Sequence, residues 1–120
     1  MEIDIVGLRD IGDLQKERLI LQANEDLDVG DFLILAARKK DEVPLGGRAR
    51  AAYWMPDHKV KKGDRVILYT KKGARSEKQL NSGTVSYFFY WNLENSVWEN
   101  SIPILIEIYE RKAFNGQNVE

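Results

Sequence analysis

Basic side chains crowd around one apolar segment, and such an arrangement could contact a polyanion. The stretch KKGDRVILYTKKG (61–73) places lysines on both sides of RVILYT. Lysine and arginine neutralise phosphates, but beside a strand they also serve as solvated charge that protects a sheet edge. If RVILYT is a strand, its two basic groups lie about 20 Å apart at ~3.3 Å per residue. This spacing argues against one tight anion pocket and leaves a diffuse phosphate-contacting surface open.

Aromatic side chains follow in VSYFFYWNLENSVW (85–98), where stacking on bases is the chemistry to consider. Phe88, Phe89 and Trp91 stand among apolar residues and not among arginines or lysines. Because a buried aromatic ring removes a large area from water, core packing is the stronger explanation. We predict that Trp91 and at least one of the two phenylalanines are buried.

Residues for catalysis or metal binding are sparse. His58 is the sole histidine and cysteine is absent, so a Ser-His-acid triad and the usual zinc ligand sets are not supported. The acidic run 24–31 lacks the spacing of an EF-hand, and no Gly-Lys phosphate loop is present. We expect a solvent-exposed turn histidine, no catalytic residue, no metal site and no cofactor.

Composition indicates one ordinary globular domain. The 120 residues are 43% hydrophobic, the formal net charge is −1, and acids dominate residues 1–31 while bases dominate residues 38–78. No segment approaches the ~20 apolar residues of a membrane span, and the acidic N-terminus does not resemble a secretory signal. We predict a single domain over 1–112, a flexible tail over 113–120, a cytoplasmic location and no membrane partner.

Short apolar runs predict an all-β fold with no convincing helix. The candidate strands are Ile3–Leu8, Leu19–Leu21, Phe32–Ala37, Tyr53–Met55, Arg65–Thr70, Val85–Trp91 and Ile102–Tyr109. Seven strands at irregular intervals suit a β-sandwich or a barrel. Alternation in the last strand predicts that Ile104, Ile106 and Ile108 point inward. The strand at 85–91 is aromatic on both sides, so we expect it to be central or to have a covered outer face.

Two polar segments are predicted to be irregular: 38–52 as a long loop or a strongly bent element, and 71–83 as a polar loop. The first carries Pro44, the pair Gly46–Gly47 and five basic residues, and long loops on a rigid scaffold often carry recognition. Two aromatic residues follow it, next to arginines. The candidate partner-binding residues are therefore Arg38, Lys39, Lys40, Arg48, Arg50, Tyr53, Trp54, Lys71 and Lys72.

The order of these segments resembles the lamin-tail domain family, an immunoglobulin-like β-sandwich. The resemblance lies in ERLILQANEDLDVGDFLIL, then YWMPDHKVKKGDRVILYTKKG, then FFYWNLENSVWEN and a final apolar strand, and covers about residues 17–109. The chain departs from the family's pattern at 38–52, which looks like an insertion, and at its N-terminal strand. The resemblance implies an immunoglobulin-like β-sandwich of about seven to nine strands.

The resemblance also implies a noncatalytic interaction or structural module. Its members contact proteins or DNA, so we expect a protein partner or self-association, with nucleic acid as a second partner class. Two alternatives stay open. One is a catalytic protein that uses Asp, Glu, Lys or Tyr in a pocket without a recognised motif, and the other is a small-ligand or nucleotide-binding protein that uses the 38–54 segment. Convergence of Arg48, Arg50, Tyr53 and Trp54 into a concave pocket would favour ligand binding.

Overall fold

The computed structural model describes residues 1–40 and 43–116, and these form an all-β protein with no α-helix in the described part. Two 3₁₀ turns, Val29–Asp31 and Trp98–Asn100, precede strands. The described residues form ten strands: β1 (Ile3–Arg9), β2 (Arg18–Ala23), β3 (Leu27–Asp28), β4 (Phe32–Lys40), β5 (Val43–Trp54), β6 (Lys59–Val60), β7 (Arg65–Tyr69), β8 (Ser76–Gln79), β9 (Val85–Tyr90) and β10 (Ser101–Glu107).

The strands form separate sheets. A five-stranded sheet has the order β1-β2-β7-β9-β8, a three-stranded sheet has the order β10-β4-β5, and β3 pairs with β6. β7 and β9 run parallel, and the other pairs are antiparallel. The predicted all-β class is confirmed, and of the two architectures left open by the sequence the described strands are sandwich-like and do not close into a barrel.

The core is built from alternate residues of both larger sheets. Leu19 and Leu21 of β2 are fully buried, and so is Ile34 of β4. The other buried hydrophobic members of the cluster are Ile3, Ala23, Val29, Phe32, Ala36, Met55, Val60, Val66, Leu68, Phe89 and Trp98. Since a strand alternates its side chains between two faces, strands such as β2 and β7 give the core every second residue.

The predicted loop at 38–52 is wrong, because β4 and β5 form one long hairpin there. The pairing runs from Leu33↔Trp54 to Lys40↔Val43, with irregular register near Ala37. Gly46–Gly47 lies inside β5 instead of breaking it. β5 is an edge strand of its sheet, where proline is tolerated, so Pro44 did not exclude a strand.

The predicted loop at 71–83 is also partly wrong. It contains β8, which pairs with β9 and whose four residues are all exposed. A strand with neither face buried carries no apolar alternation, so no local pattern indicated it. This strand and the two-residue strands β3 and β6 bring the described count to ten, above the predicted seven to nine.

The inward face of β10 was predicted wrongly. Leu105 pairs with the fully buried Ile34 and packs against the core. Ile104 and Ile106 pair with Leu35 and Leu33, which are half-buried on the opposite face. Every residue of the strand's centre is apolar, so alternation offered no contrast between its two faces.

The prediction for β9 is confirmed in its main points. The strand lies between β7 and β8, and Phe89 is 2% exposed. Phe88 points to the outer face and is half-buried. Trp91 is half-buried as well and packs its ring against Trp98, with centroids 5.8 Å apart.

Pro103 lies in β10, an edge strand of the three-stranded sheet. The amide of Ile108 donates to the Asp31 carbonyl at 2.8 Å, so even-numbered residues of this segment direct their amides toward β4. The odd-numbered residues therefore face the open edge, and Pro103 removes one amide from it. Residues 113–116 of the predicted tail are exposed without regular structure, and 117–120 lie outside the described residues.

A buried carboxylate joins three distant segments. Glu17 is fully buried and accepts hydrogen bonds from the Thr70 hydroxyl at 2.5 Å and from the Val97 amide at 3.0 Å. The amides of Gly12 and Trp98 also donate to it, at 2.9 and 3.4 Å. Charge-assisted bonds to amides are among the strong hydrogen bonds of proteins, and they compensate the removal of this charge from water.

We predict that Glu17→Gln lowers the free energy of unfolding by about 2–4 kcal/mol, because the new amide group leaves buried N–H donors without an acceptor. Urea denaturation measures the change. The matched control is Glu77→Gln on the exposed strand β8, expected within ~0.5 kcal/mol of wild type. Equal effects of the two substitutions would contradict the anchoring role of Glu17.

We predict that Phe89→Ala destabilises by about 3–5 kcal/mol, the usual range for truncating a buried phenylalanine. Phe88→Ala is the control, since it removes the same side chain from the outer face of the same strand. Its cost should be less than half as large. Thermal unfolding of the two variants, compared with wild type, checks the assignment of faces.

Candidate interaction surfaces

The three-stranded sheet is apolar on both of its faces. Ile34 and Ala36 point to the core, so Leu33 and Leu35 point away from it. Their partners Ile104, Ile106, Ala52 and Trp54 lie on the same side. We call these six residues the β4 outer face. Trp54 is 51% exposed, so the face presents a large ring to its surroundings.

The Trp54 ring is held in one orientation by its neighbours. Its Nε1 donates to the Gly30 carbonyl at 2.8 Å. The Arg111 guanidinium carbon lies 4.5 Å from the ring centroid, a cation–π distance. Because the polar atom of the indole already has its partner, the exposed remainder of the side chain is apolar.

The outer face of the five-stranded sheet carries a stack of two tyrosine rings whose faces are contacted by other residues of the chain. Tyr69 and Tyr90 stack with centroids 5.5 Å apart and planes 13° apart. Lys71 Nζ lies 5.1 Å from the Tyr69 centroid. Gly73 lies against the Tyr90 ring so closely that a Cβ would collide with it. The Gly73 amide donates to Asn92 Oδ1 at 3.0 Å, which fixes this loop. Bases would find little open ring surface here.

A groove of about 730 Å³ lies between the β3–β6 pair and the start of β9. Its apolar lining comes from Leu27, Val60, Val85 and Tyr87. Its charged lining consists of Lys59, Lys61, Lys62, Asp26, Asp28 and Asp64. The groove is separate from the β4 outer face, because the two share no residue.

The three aspartates of the groove bind backbone amides. Asp64 accepts from the amides of Lys61 at 2.8 Å and Val85 at 2.9 Å, and so ties the two walls together. Asp28 accepts from the amides of Gly30 and His58 at 2.8 and 2.9 Å. Asp26 accepts from the Lys62 amide at 2.9 Å. These carboxylates hold the turns that shape the groove.

His58 is half-buried and in contact with aromatic rings, so the predicted solvent-exposed histidine is wrong. Its ring lies edge-on to Tyr87 with centroids 4.7 Å apart. Arg75 Nη2 lies 3.4 Å from His58 Nδ1, and the same guanidinium covers the Phe89 ring at 5.0 Å. Among residues 1–40 and 43–116, no three of His, Asp and Glu are grouped to hold a metal ion.

The predicted partner-binding residues do not form one site. Tyr53 points inward, with its ring 5.8 Å from that of Trp91, while its neighbour Trp54 points outward. Arg38 is exposed on β4, and Arg50 is exposed beside a cleft lined by 93–97 and 99–100. Burial raises the pKa of Tyr53, and Arg75 partly opposes this rise.

The lysines among the predicted residues are dispersed as well. Lys71 lies over Tyr69, and Lys72 forms an exposed ion pair with Glu94 at 3.7 Å. Lys39 is half-buried in β4. The side chains of Lys40 and Arg48 lie outside the described residues. Arg50, Tyr53 and Trp54 do not converge, because Tyr53 and Trp54 point to opposite faces and Arg50 borders a different cleft.

The residues that the sequence reasoning missed are those of the β4 outer face other than Trp54, and those of the groove. A signal existed for the first set, since FLIL and IPILI are apolar in both alternation phases. Such runs indicate a strand with two buried or partnered faces. The groove had no local signal, because its lining comes from three segments, 26–28, 59–64 and 83–87, that are far apart in the sequence.

Comparison with known proteins gave no matching family model and no matching curated protein. Within residues 1–40 and 43–116, no helix has the length and apolarity that a membrane crossing requires. The cytoplasmic location therefore stays a prediction from the sequence.

We predict an alkaline loss of stability that Tyr53 contributes to. Burial favours the neutral phenol, so the folded-state pKa of Tyr53 is above its unfolded value near 10. Its contribution is fully present below pH ~10 and is lost as pH rises through the folded-state pKa. Unfolding free energies measured from pH 9 to 11.5 should fall less steeply for Tyr53→Phe than for wild type. Parallel curves would contradict the assignment.

Proposed function

We propose that this chain is a noncatalytic, immunoglobulin-like structural module, similar in kind to lamin-tail domains, that associates with a second copy through the β4 outer face. The observation that carries the proposal is that the three-stranded sheet is apolar on both sides. One side is used by the core, and the other has Trp54 half exposed. Sheets that face water on one side normally alternate apolar and polar residues.

The apolar content of the face favours a protein surface as its partner. Leu33, Leu35, Ile104 and Ile106 form two opposed pairs at its centre. Covering such side chains removes apolar area from water, which is the main driving force of association. Exposed contiguous apolar surface with a polar rim is typical of protein interaction sites.

The size of the face indicates weak association. Three strands by five residues cover roughly 14 Å by 17 Å. This is below the ~800 Å² per partner that a standard stable interface buries. Because the area is small, we expect micromolar or weaker affinity.

The other partner classes have less support. The basic residues are dispersed and the aromatic stack of the five-stranded sheet is closed, so little favours nucleic acid. Small-molecule binding through 38–54 has less support, because Tyr53 and Trp54 point to opposite faces of β5 and do not converge with Arg50. A candidate small-molecule site is instead the groove lined by β3, β6 and β9, which lies outside the 38–54 segment.

The central test compares two isoleucines at matched positions. Ile104→Arg places a charge on the β4 outer face, and Ile67→Arg places one on the outer face of the five-stranded sheet; both wild-type residues are half-buried. Sedimentation equilibrium from micromolar to millimolar concentration should show reversible dimers for wild type and Ile67→Arg. Ile104→Arg should weaken dimerisation at least tenfold. A monomer at all concentrations, or equal effects of both variants, would contradict self-association.

A further inference from the structure

We infer that the groove between β6 and β9 binds a small anion with an apolar body, an organic carboxylate or phosphate. The inference concerns residues outside the β4 outer face and does not rest on self-association. Its basis is the combination of an apolar floor with hydrogen-bond donors that have no partner in the described residues. The volume of about 730 Å³ falls within the range of small-molecule sites.

The apolar part of the ligand would contact the floor of the groove. Val60 is 2% exposed and also belongs to the core, so this wall is rigid. Leu27, Val85 and Tyr87 are half-buried around it. Asp64 fixes the distance between the walls through its bonds to the amides of Lys61 and Val85. The groove is therefore formed without a ligand, which reduces the ordering cost of binding.

The acceptor groups of the groove already have hydrogen-bond partners within the chain, whereas the charged donor groups have none in the described residues. Its three aspartates each accept at least one backbone amide, whereas Lys59, Lys61 and Lys62 form no ion pair with any described residue. An ammonium group donates hydrogen bonds and cannot accept them. Formal charges within the groove balance, so it is the uncommitted donors that select for an occupant rich in acceptor oxygens.

Tyr87 adds a fourth donor at the wall. Its hydroxyl has no hydrogen-bond partner in the described part of the chain. Burial raises the pKa of Tyr87, and the carboxylates of Asp64 and Glu77 add to this rise. The phenol therefore stays protonated near neutral pH and can donate to a ligand oxygen, while His58 supports the ring from one side at 4.7 Å.

The test uses three naphthalene probes that share one apolar body. Naphthalene-2-carboxylate and 2-naphthyl phosphate carry the anion, and naphthalene-2-carboxamide is the neutral control. In NMR titrations of the whole chain, at least one of the two anions should bind at least tenfold more tightly than naphthalene-2-carboxamide. The same anion should shift the backbone amide resonances of Val85 and Tyr87. The stronger of the two anions identifies the acceptor group that the groove prefers.

Lysine variants separate the groove from general positive charge. The triple variant Lys59→Gln, Lys61→Gln, Lys62→Gln should remove the tenfold advantage of the anions. The matched control Lys71→Gln, Lys72→Gln, Lys78→Gln removes the same charge elsewhere and should leave it unchanged. Tyr87→Phe should lower the affinity for the anionic probes by a smaller factor than the lysine triple variant does. It should leave the affinity for naphthalene-2-carboxamide unchanged.

Three results would overturn the inference. The first is equal affinity of the anionic probes and naphthalene-2-carboxamide. The second is an equal loss of anion affinity in the two triple variants, and the third is that the NMR shifts are confined to residues outside the groove. Ile104→Arg serves as a further control, since it should not change probe binding. Failure of the groove would thus be distinguishable from failure of self-association, which is read by sedimentation alone.

Discussion

The sandwich depends on one buried carboxylate that holds its two larger sheets in place. Glu17 immediately precedes β2, and Thr70 immediately follows β7, so their 2.5 Å bond closes one end of the five-stranded sheet. The amides of Val97 and Trp98 bring in the segment that leads to β10 of the other sheet. Without this carboxylate, several buried donors would lack acceptors at once, and an unmade buried hydrogen bond costs more than a made one gains.

Two further carboxylates, those of Asp64 and Asp28, also link separate segments by accepting hydrogen bonds from backbone amides. Asp64 links the turn before β7 to the beginning of β9, and Asp28 links β3 to the turn at His58. Each accepts from amides that no strand partner satisfies. The turns of this protein are thus shaped by acidic side chains near the strand ends, and the groove is a by-product of how two of these turns are tied together.

The sequence predicted the strands that alternate or that are apolar throughout, such as β2, β7 and β9, because burial of a strand leaves a local pattern. It failed for β8, whose exposed residues leave none, and for the β4–β5 hairpin, where Pro44 and Gly46–Gly47 suggested a break. At an edge, proline and glycine are tolerated since half of the backbone groups have no strand partner. Local propensity cannot distinguish an edge from a loop.

Prediction of the candidate surfaces was limited by a different cause. Tyr53 and Trp54 are adjacent in sequence and were both predicted to bind a partner. Adjacent residues of a strand point to opposite faces, so only Trp54 is on the outer face. The direction of β10 could not be read from Ile104, Leu105 and Ile106, because only pairing with β4 decides which of them meets the core. The groove depends on Asp64 meeting Val85 across twenty residues, a nonlocal contact that no short motif encodes.

Pro103 bears on how far an assembly of this protein could grow. A strand that offers a full row of amides and carbonyls at its edge can template a neighbour, and that neighbour the next, so that growth has no natural end. The ring of Pro103 interrupts the row at β10. Copies that meet through the flat side of the sheet are then complete after one encounter, since covering that side leaves no second like it. Pro103 would thereby protect the β10 edge of such a pair from open-ended growth by strand addition.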